Sequence, residues 1–164
     1  MQRVLAAELG KHVGQRVCIQ GWLHTVRKLG EVNFLIVRDR SGLCQAVTSL
    51  DDLKPLEGLQ NESVIAVEGE VVVAPQAPGG YELYHNQVQV ITPVTAPPPF
   101  SLSKNRIRAS QPTFLDHAVI GQRHLKQRAI LRLTAGVMQG FRATLDARDF
   151  VEIQTPKLVA SATE

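Results

Sequence analysis

The stretch Val32–Thr48 reads VNFLIVR-DRSG-LCQAVT and carries the pattern that decides the fold. Two runs rich in apolar and β-branched residues, at 32–38 and 43–48, flank the polar segment DRSG at 39–42. Aspartate, serine and glycine favour tight turns, because their side chains or their backbone freedom stabilise a reversal of the chain. The stretch therefore predicts two adjacent strands joined by a turn.

Similar strand signals lie on both sides of this pair. Upstream, VCIQGWLH at 17–24 alternates in polarity, and downstream the run from Glu62 to Val73 is the longest strand signal in the chain. A Pro/Gly loop at 75–80 leads into a fifth run, Tyr81 to Thr92, whereas residues 49–61 contain a proline and few β-branched residues. Five strands, with a short helix or loop between the third and the fourth, are the order of the OB-fold barrel. That fold binds oligonucleotides on its second and third strands.

The chain is accordingly predicted to be mainly β, with an OB-fold domain at 1–92, a Pro-rich basic hinge at 93–113 and the start of a second domain at 114–164. Five of the nine prolines lie in the hinge, which favours a stiff linker over a core element. From Arg123 to Asp149 the apolar residues follow a helical period, and Phe150 to Thr155 is predicted to be a strand ended by Pro156. The helix has one apolar stripe, made of Ile130, Leu133, Val137, Met138, Phe141 and Leu145. One helix and one strand cannot bury that stripe, so part of it should be uncovered.

Composition excludes several classes of protein. No apolar run reaches the roughly 20 residues that a membrane-spanning helix needs. The acidic residue Glu8 lies where a secretory signal peptide would have its apolar core, so we expect a cytoplasmic location. Cys18 and Cys44 lie too far apart for a C-x-x-C metal motif, so we expect no metal site. The formal charge of +3 is uneven: residues 1–100 carry a net −2 and residues 101–164 a net +5. A basic stripe beside a nearly neutral module suggests a polyanionic partner, although a solvated linker and helix would have the same charge.

Three residue types point to a nucleic-acid interface on the barrel. If the first three strands are neighbours, Arg27, Phe34 and Gln45 can share one surface. An aromatic ring can stack on a base, an arginine can meet a phosphate or a base edge, and an amide can donate and accept hydrogen bonds at a base. The alternative is that Phe34 belongs to the core and that the two polar side chains are ordinary surface residues.

The sequence closely resembles the N-terminal anticodon-binding domain of aspartyl-tRNA synthetases. The resemblance lies in GWLHTVRKLG at 21–30, in FLIVRDRSG at 34–42 and in the glutamine that follows at position 45. Further along, GFR at 140–142 and DFVEIQTPKL at 149–158 are similar to motif 1 of class II synthetases. SATE at 161–164 resembles the start of the loop that closes over the amino acid in archaeal-type members. The order of these motifs follows the family order over essentially the whole chain.

The resemblance implies roles for individual residues. It implies that Phe34 stacks on the middle anticodon base, a uracil, that Gln45 reads the anticodon and that Arg27 meets anticodon phosphate or base edges. Glu82 is the best match to an acidic residue of the fifth strand, although an exposed strand charge is an equal alternative. His24 is expected at the rim of the site for the third anticodon base, with an ordinary surface histidine as an equal alternative.

The same resemblance implies roles for residues of the second domain. Pro156 and Phe141 correspond to motif 1, which lies at the dimer interface. Ser161 and Glu164 correspond to the amino-acid-binding loop.

The parent protein implied by the resemblance is a homodimeric aspartate–tRNA ligase that uses ATP and Mg²⁺ to attach aspartate to tRNA-Asp, with tRNA-Asn as a second candidate substrate. Motifs 2 and 3, which hold ATP, do not occur in the 164 residues, so we expect no catalytic residue and no bound cofactor in this chain. Arg106 and Arg108 of the hinge are expected to contact the body of the tRNA. Two alternatives stay open: a segment of an asparaginyl-tRNA synthetase, and a free-standing OB-fold protein that binds single-stranded nucleic acid.

Overall fold

Five strands form a closed barrel in the computed structural model, which describes residues 2–30 and 32–155. The strands are β1 (Arg16–Leu29), β2 (Val32–Arg38), β3 (Leu43–Thr48), β4 (Val64–Val73) and β5 (Tyr81–Thr92). They lie in the order β1-β2-β3-β5-β4, and the pair β3–β5 is parallel whereas the other pairs are antiparallel. The predicted OB-fold barrel is confirmed.

Three short 3₁₀ helices complete the first part of the chain. Ala6–Lys11 precedes the barrel, Lys54–Leu56 lies between β3 and β4, and Pro78–Gly80 precedes β5. The predicted non-strand segment at 49–61 therefore contains a single 3₁₀ turn. The helix at Ala6–Lys11 has no counterpart in the sequence prediction, because six residues are too few to show a helical period.

Strand β1 is longer than predicted because it serves two neighbours in turn. Its first half, from Arg16 to Trp22, pairs with β4, and its second half, from Trp22 to Leu29, pairs with β2. The sequence pattern indicated a strand at 17–24, whereas β1 continues through residues 25–29. At the crossover, a Cβ atom on Gly21 would lie 2.3 Å from the carbonyl oxygen of Arg38, so this position has no room for a side chain.

Alternation along the strands separates a packed interior from an outer face. Leu35 on β2, Cys44 and Ala46 on β3 and Leu83 on β5 belong to the hydrophobic core, with Leu9 of the N-terminal helix closing one side. Successive side chains of a strand point to opposite faces. The residues that alternate with these core positions therefore lie on the outside of the barrel.

The parallel contact between β3 and β5 is short and is extended by one side chain. Backbone pairing covers Gln45 with Glu82 and Ala46 with Leu83. Beyond it, the Asn86 amide donates from Nδ2 to the carbonyl oxygens of Val47, at 2.6 Å, and of Leu83, at 3.2 Å. Asn86 thus closes the barrel at the point where the β3 and β5 backbones separate.

The chain divides into two compact units, Met1–Thr113 and Phe114–Glu164. The predicted hinge at 93–113 has no helix or strand up to residue 110, and its last three residues, 111–113, begin a helix. Nevertheless Phe100 and Leu102 are only 6% and 4% exposed. This part of the predicted linker therefore has buried anchor points, which proline content alone did not indicate. The boundary predicted at residue 92 stays a prediction.

Three helices follow: α1 (Gln111–Asp116), α2 (Ala118–Gly121) and α3 (Leu125–Asp146). Helix α3 matches the predicted helix to within three residues at each end, and the apolar stripe is largely uncovered, with Leu133 71% and Phe141 58% exposed. The strand predicted at 150–155 is wrong, since these residues are neither helix nor strand. A strand needs a hydrogen-bonding neighbour, and the described part of this unit supplies none.

Within residues 2–30 and 32–155, no helix has the length and apolar character needed to cross a membrane.

Candidate nucleic-acid interface

Arg27, Phe34 and Val47 form one row across the outer face of the barrel. Arg27 of β1 lies opposite Phe34 of β2, and Phe34 lies opposite Val47 of β3. Arg27 is exposed and Phe34 is half-buried, and neither belongs to the main core cluster. The condition on which the sequence argument rested, that the first three strands are neighbours, is met.

Gln45 and Glu82 lie two residues along from this row on the same outer face. Gln45 of β3 pairs directly with Glu82 of β5, and its Nε2 donates a hydrogen bond of 2.9 Å to Oε2 of the carboxylate. Both side chains are buried, with 7% and 3% of their surfaces exposed. We call the surface made by Arg27, Phe34, Gln45, Val47 and Glu82 the outer face. It combines a cation, a flat aromatic ring and an amide whose orientation is held.

Tyr84 is a further member of this group that the sequence analysis missed. A hydrogen bond with the Glu82 side chain raises the pKa of Tyr84, and partial burial and the negative charge of Glu82 act in the same direction. Glu82 is therefore in contact with Gln45 on β3 and with Tyr84 two residues along its own strand. The spacing of two between Glu82 and Tyr84 was the available signal, because it places both residues on one side of β5.

His24 occupies a β-bulge in β1, between Leu23 and Thr25, where the register with β2 shifts. The bulge adds an unpaired residue and redirects its side chain. The His24 ring is 7% exposed, and its Nδ1 lies 3.1 Å from Nη1 of Arg38. Since a guanidinium can only donate hydrogen bonds, Nδ1 is the acceptor in this contact. The predicted role of His24 beside the third anticodon base stays a prediction.

Arg38 is the centre of a buried charged cluster beside His24. Its guanidinium binds both carboxylate oxygens of Glu62, at 2.8 and 2.6 Å, and lies 5.5 Å from the centre of the Trp22 ring. Arg38 is 1% and Glu62 7% exposed. Removing either partner of such a buried ion pair destabilises the fold, because the remaining charge then has neither a partner nor solvent. His24 and Glu62 also line a cavity of about 470 Å³, together with the buried hinge residues Phe100 and Leu102.

The other predicted site residues either do not belong to the outer face or lie outside the described residues. Arg106 and Arg108 are exposed in the segment after the barrel, and Phe141 is exposed on α3. Pro156, Ser161 and Glu164 lie outside the described residues.

Two family descriptions match the chain. Residues 17–91 match an OB-fold nucleic acid binding domain of the tRNA anticodon type, and residues 110–164 match the tRNA synthetases class II (D, K and N). The chain therefore combines an anticodon-binding OB-fold with the N-terminal region of a class II tRNA synthetase.

Comparison with curated proteins identifies relatives of this chain among the aminoacyl-tRNA ligases. The chain is 43% identical over 162 residues to an aspartate–tRNA(Asp/Asn) ligase of Thermus thermophilus, with 99% of this chain and 37% of the relative covered. It is 40% identical over 164 residues to the protein of the same name in Deinococcus radiodurans, with 100% and 37% covered. The chain thus spans somewhat over a third of the length of these relatives. It is homologous to the corresponding region of the aspartate–tRNA(Asp/Asn) ligases.

Solved structures agree with this placement. The asparaginyl-tRNA synthetase of Pyrococcus horikoshii, complexed with asparaginyl-adenylate, superimposes with a TM-score of 0.82 and 29% identity, covering 100% of this chain and 38% of that one. The aspartyl-tRNA synthetase of Entamoeba histolytica superimposes with a TM-score of 0.75 at 22% identity, covering 100% and 41%, which shows the shared fold.

Proposed function

We propose that the outer face binds the anticodon loop of tRNA-Asp as part of an aspartate–tRNA ligase. The observation that carries this proposal is the row of Arg27 and Phe34 beside the amide of Gln45. Phe34 offers a ring for stacking on the middle base, Arg27 offers a cation for phosphate, and Gln45 offers a donor and an acceptor for the base edge. Both curated relatives described above are named aspartate–tRNA(Asp/Asn) ligases, which supports this substrate class.

The parent enzyme would join aspartate to tRNA with ATP and Mg²⁺, and would act as a homodimer. Within residues 2–30 and 32–155, no three His, Cys, Asp or Glu side chains are grouped so as to hold a metal ion. The proposal assigns no step of adenylate formation to the described residues. Their proposed contribution is to select the tRNA.

Binding of labelled anticodon stem-loops to the full 164-residue chain tests the proposal. A loop with the anticodon GUC should bind more tightly than a loop with GAC, by about 1–3 kcal/mol if the middle base is read by a bidentate contact. Gln45→Ala should reduce the difference, whereas Gln76→Ala, at an exposed loop position, should leave it unchanged.

Two results would redirect the interpretation. Equal binding of GUC and GAC loops by the native chain would favour a free-standing, non-specific OB-fold protein. A loop with GUU, the anticodon of tRNA-Asn, tests the substrate pair: binding as tight as GUC would support a parent that acts on both tRNAs, and binding tighter than GUC would favour the asparaginyl alternative.

A further inference from the structure

Residues 94–103, which we call the strap, follow β5 and have neither helix nor strand. Val94 is half-buried and Phe100 and Leu102 are buried, whereas most of the residues between Val94 and Phe100 are exposed. Three of those residues are prolines, at 97–99, and the ring of each proline restricts the backbone. The strap therefore has two anchored ends joined by a stiff stretch, and we expect it to dock on the barrel or lift from it as one piece.

Ser63 holds the first end of the strap. It is 0% exposed, and its hydroxyl accepts a hydrogen bond of 2.9 Å from the backbone N–H of Val94 and donates one of 2.7 Å to the carbonyl oxygen of Gln60. The hydroxyl thus joins the strap to the connection between β3 and β4. Without it the Val94 N–H would lose this acceptor, and a polar group that loses its partner on closure favours the open, hydrated position.

The second end of the strap covers a void. Phe100 and Leu102 line, together with His24 and Glu62, the cavity of about 470 Å³ described above. Protein interiors contain few voids larger than a water molecule, and atoms beside a void lose part of their dispersion contacts. The closed position of the strap is therefore stabilised less than close packing would allow.

Glu62, directly before Ser63, has a strained backbone. Its φ is 74°, in the left-handed region that residues with a Cβ atom rarely adopt. Two interactions hold it there: its N–H donates to the carbonyl oxygen of Leu23 at 2.8 Å, and its carboxylate accepts two hydrogen bonds from Arg38. Strained residues persist only where their surroundings fix them. Breaking the ion pair would therefore allow the backbone to relax and would move the Ser63 hydroxyl that holds the strap.

We propose that Glu62 and Ser63 form a latch for the strap. With the Arg38–Glu62 pair intact, the strap is closed over the cavity; with the pair broken, the strap lifts and the cavity opens. Arg38 lies on the same side of β2 as Phe34, since residues 34, 36 and 38 alternate with the core positions. The latch thus connects the strand that carries the candidate nucleic-acid interface with the basic segment that follows the strap.

Cleavage of the full chain by chymotrypsin after Phe100, followed by mass spectrometry, tests the latch. Burial of Phe100 in the closed strap should make this cleavage slow in the native chain. Ser63→Ala should accelerate it about fivefold, the equivalent of one lost hydrogen bond, and Glu62→Gln should accelerate it at least as much. The control Glu57→Gln, an exposed carboxylate in the same connection, should leave the rate unchanged.

Hydrogen exchange measured by nuclear magnetic resonance separates the latch from general destabilisation. In Glu62→Gln the amide of Val94 should exchange faster, while the amide of the β4 core residue Val67 should stay protected. Coupling between two sites is reciprocal, so Leu102→Ala, on the strap, should accelerate exchange at the Glu62 amide. Adding Ser63→Ala to Glu62→Gln should accelerate cleavage little further, because residues that act in one device are not additive.

Each contrary result would overturn the proposal. Unchanged cleavage after Phe100 in both Ser63→Ala and Glu62→Gln would mean that other contacts hold the strap. Fully additive effects in the double variant would make the two residues independent anchors. Should Glu62→Gln not fold, Ser63→Ala and Leu102→Ala decide the question: exchange at Val67 that rises as much as at Val94 would mean that the strap opens only when the barrel unfolds.

Discussion

At the scale of single residues, the outer face depends on which side of its strand each residue lies. Phe34 alternates with the core residue Leu35, and its neighbours across the sheet are Arg27 and Val47. The ring is half-buried, so part of its surface is exposed to solvent. On the proposed function, we expect this side chain to contribute more to stacking on a base than to the stability of the barrel.

Replacing this ring should weaken binding without unfolding the domain. Phe34→Ala should reduce affinity for the GUC stem-loop by about 1–3 kcal/mol, the cost of losing one base–aromatic stack. Phe34→Leu, which restores apolar area but no flat ring, should recover only a small part. Anisotropy titrations measure the affinities, and circular dichroism monitors the fold. A Phe34→Ala chain that is unfolded would place Phe34 in the core after all.

At the scale of elements, Asp39 joins the β2–β3 turn to the N-terminal 3₁₀ helix. Its carboxylate accepts hydrogen bonds from the backbone N–H of Ala6 at 2.7 Å, of Ser41 at 2.6 Å and of Gly42 at 2.9 Å, and from the Ser41 hydroxyl at 2.7 Å. Burial by itself would raise the pKa of Asp39, but these hydrogen bonds outweigh it and the pKa is lowered. Asp39, which the sequence indicated only as a turn residue, therefore also anchors the N-terminal 3₁₀ helix at Ala6, 33 residues earlier in the chain.

The lowered pKa gives a pH dependence with a definite sign. A carboxyl whose pKa is lower in the folded state stabilises the fold above its ordinary pKa near 4, and this contribution is lost as the pH falls toward the folded value. Asp39→Asn should lower the free energy of unfolding by about 1–3 kcal/mol at pH 7, and by less at pH 3, in urea titrations. The control Asp51→Asn, whose side chain is 82% exposed, should change little at either pH. A loss that is the same at both pH values would contradict this assignment.

The segment after the barrel carries two exposed arginines, Arg106 and Arg108. Replacing both by glutamine should weaken binding of whole tRNA and leave the isolated stem-loop nearly unaffected, because this segment is expected to meet the tRNA body. Each lost phosphate contact should flatten the log–log salt dependence by about 0.7–0.9. The matched control is Lys11→Gln, with a side chain 74% exposed. Unchanged binding of whole tRNA would make these arginines ordinary solvated charges.

At the scale of the whole molecule, the chain has a closed barrel and a second unit that matches the class II synthetases at residues 110–164. The apolar stripe of α3 is largely uncovered, and residues 147–155, the described residues that follow the helix, form no strand. Both features are consistent with a region that spans 37% of its curated relatives. A surface of this kind is typical of a region that packs against further protein.

The 164-residue chain should therefore bind tRNA but show no aspartate-dependent exchange between ATP and pyrophosphate. Forming an adenylate requires positioned cations around the triphosphate, and that electrostatic stabilisation is usually the largest contribution to such catalysis. The motifs that hold ATP in class II synthetases do not occur in this sequence. Exchange that persists at constant specific activity through further purification would mean that these residues contain a complete active site.

The sequence by itself determined the local elements and the chemistry of the outer face. Strands β2, β3 and β5 lie where alternation placed them, and α3 lies where the helical period placed it, because both patterns follow from which side of a local element is buried. The residue types of Arg27, Phe34 and Gln45 indicated a nucleic-acid surface before their positions were known.

Only the tertiary structure decided which distant residues meet. Gln45 and Glu82 are 37 positions apart and come together through two parallel pairs, a register that no local pattern encodes. The burial of Phe100 in a proline-rich segment depends in the same way on non-local packing. The failure of residues 150–155 to form a strand has the converse cause, because strand propensity is expressed only where a neighbouring strand can accept its hydrogen bonds.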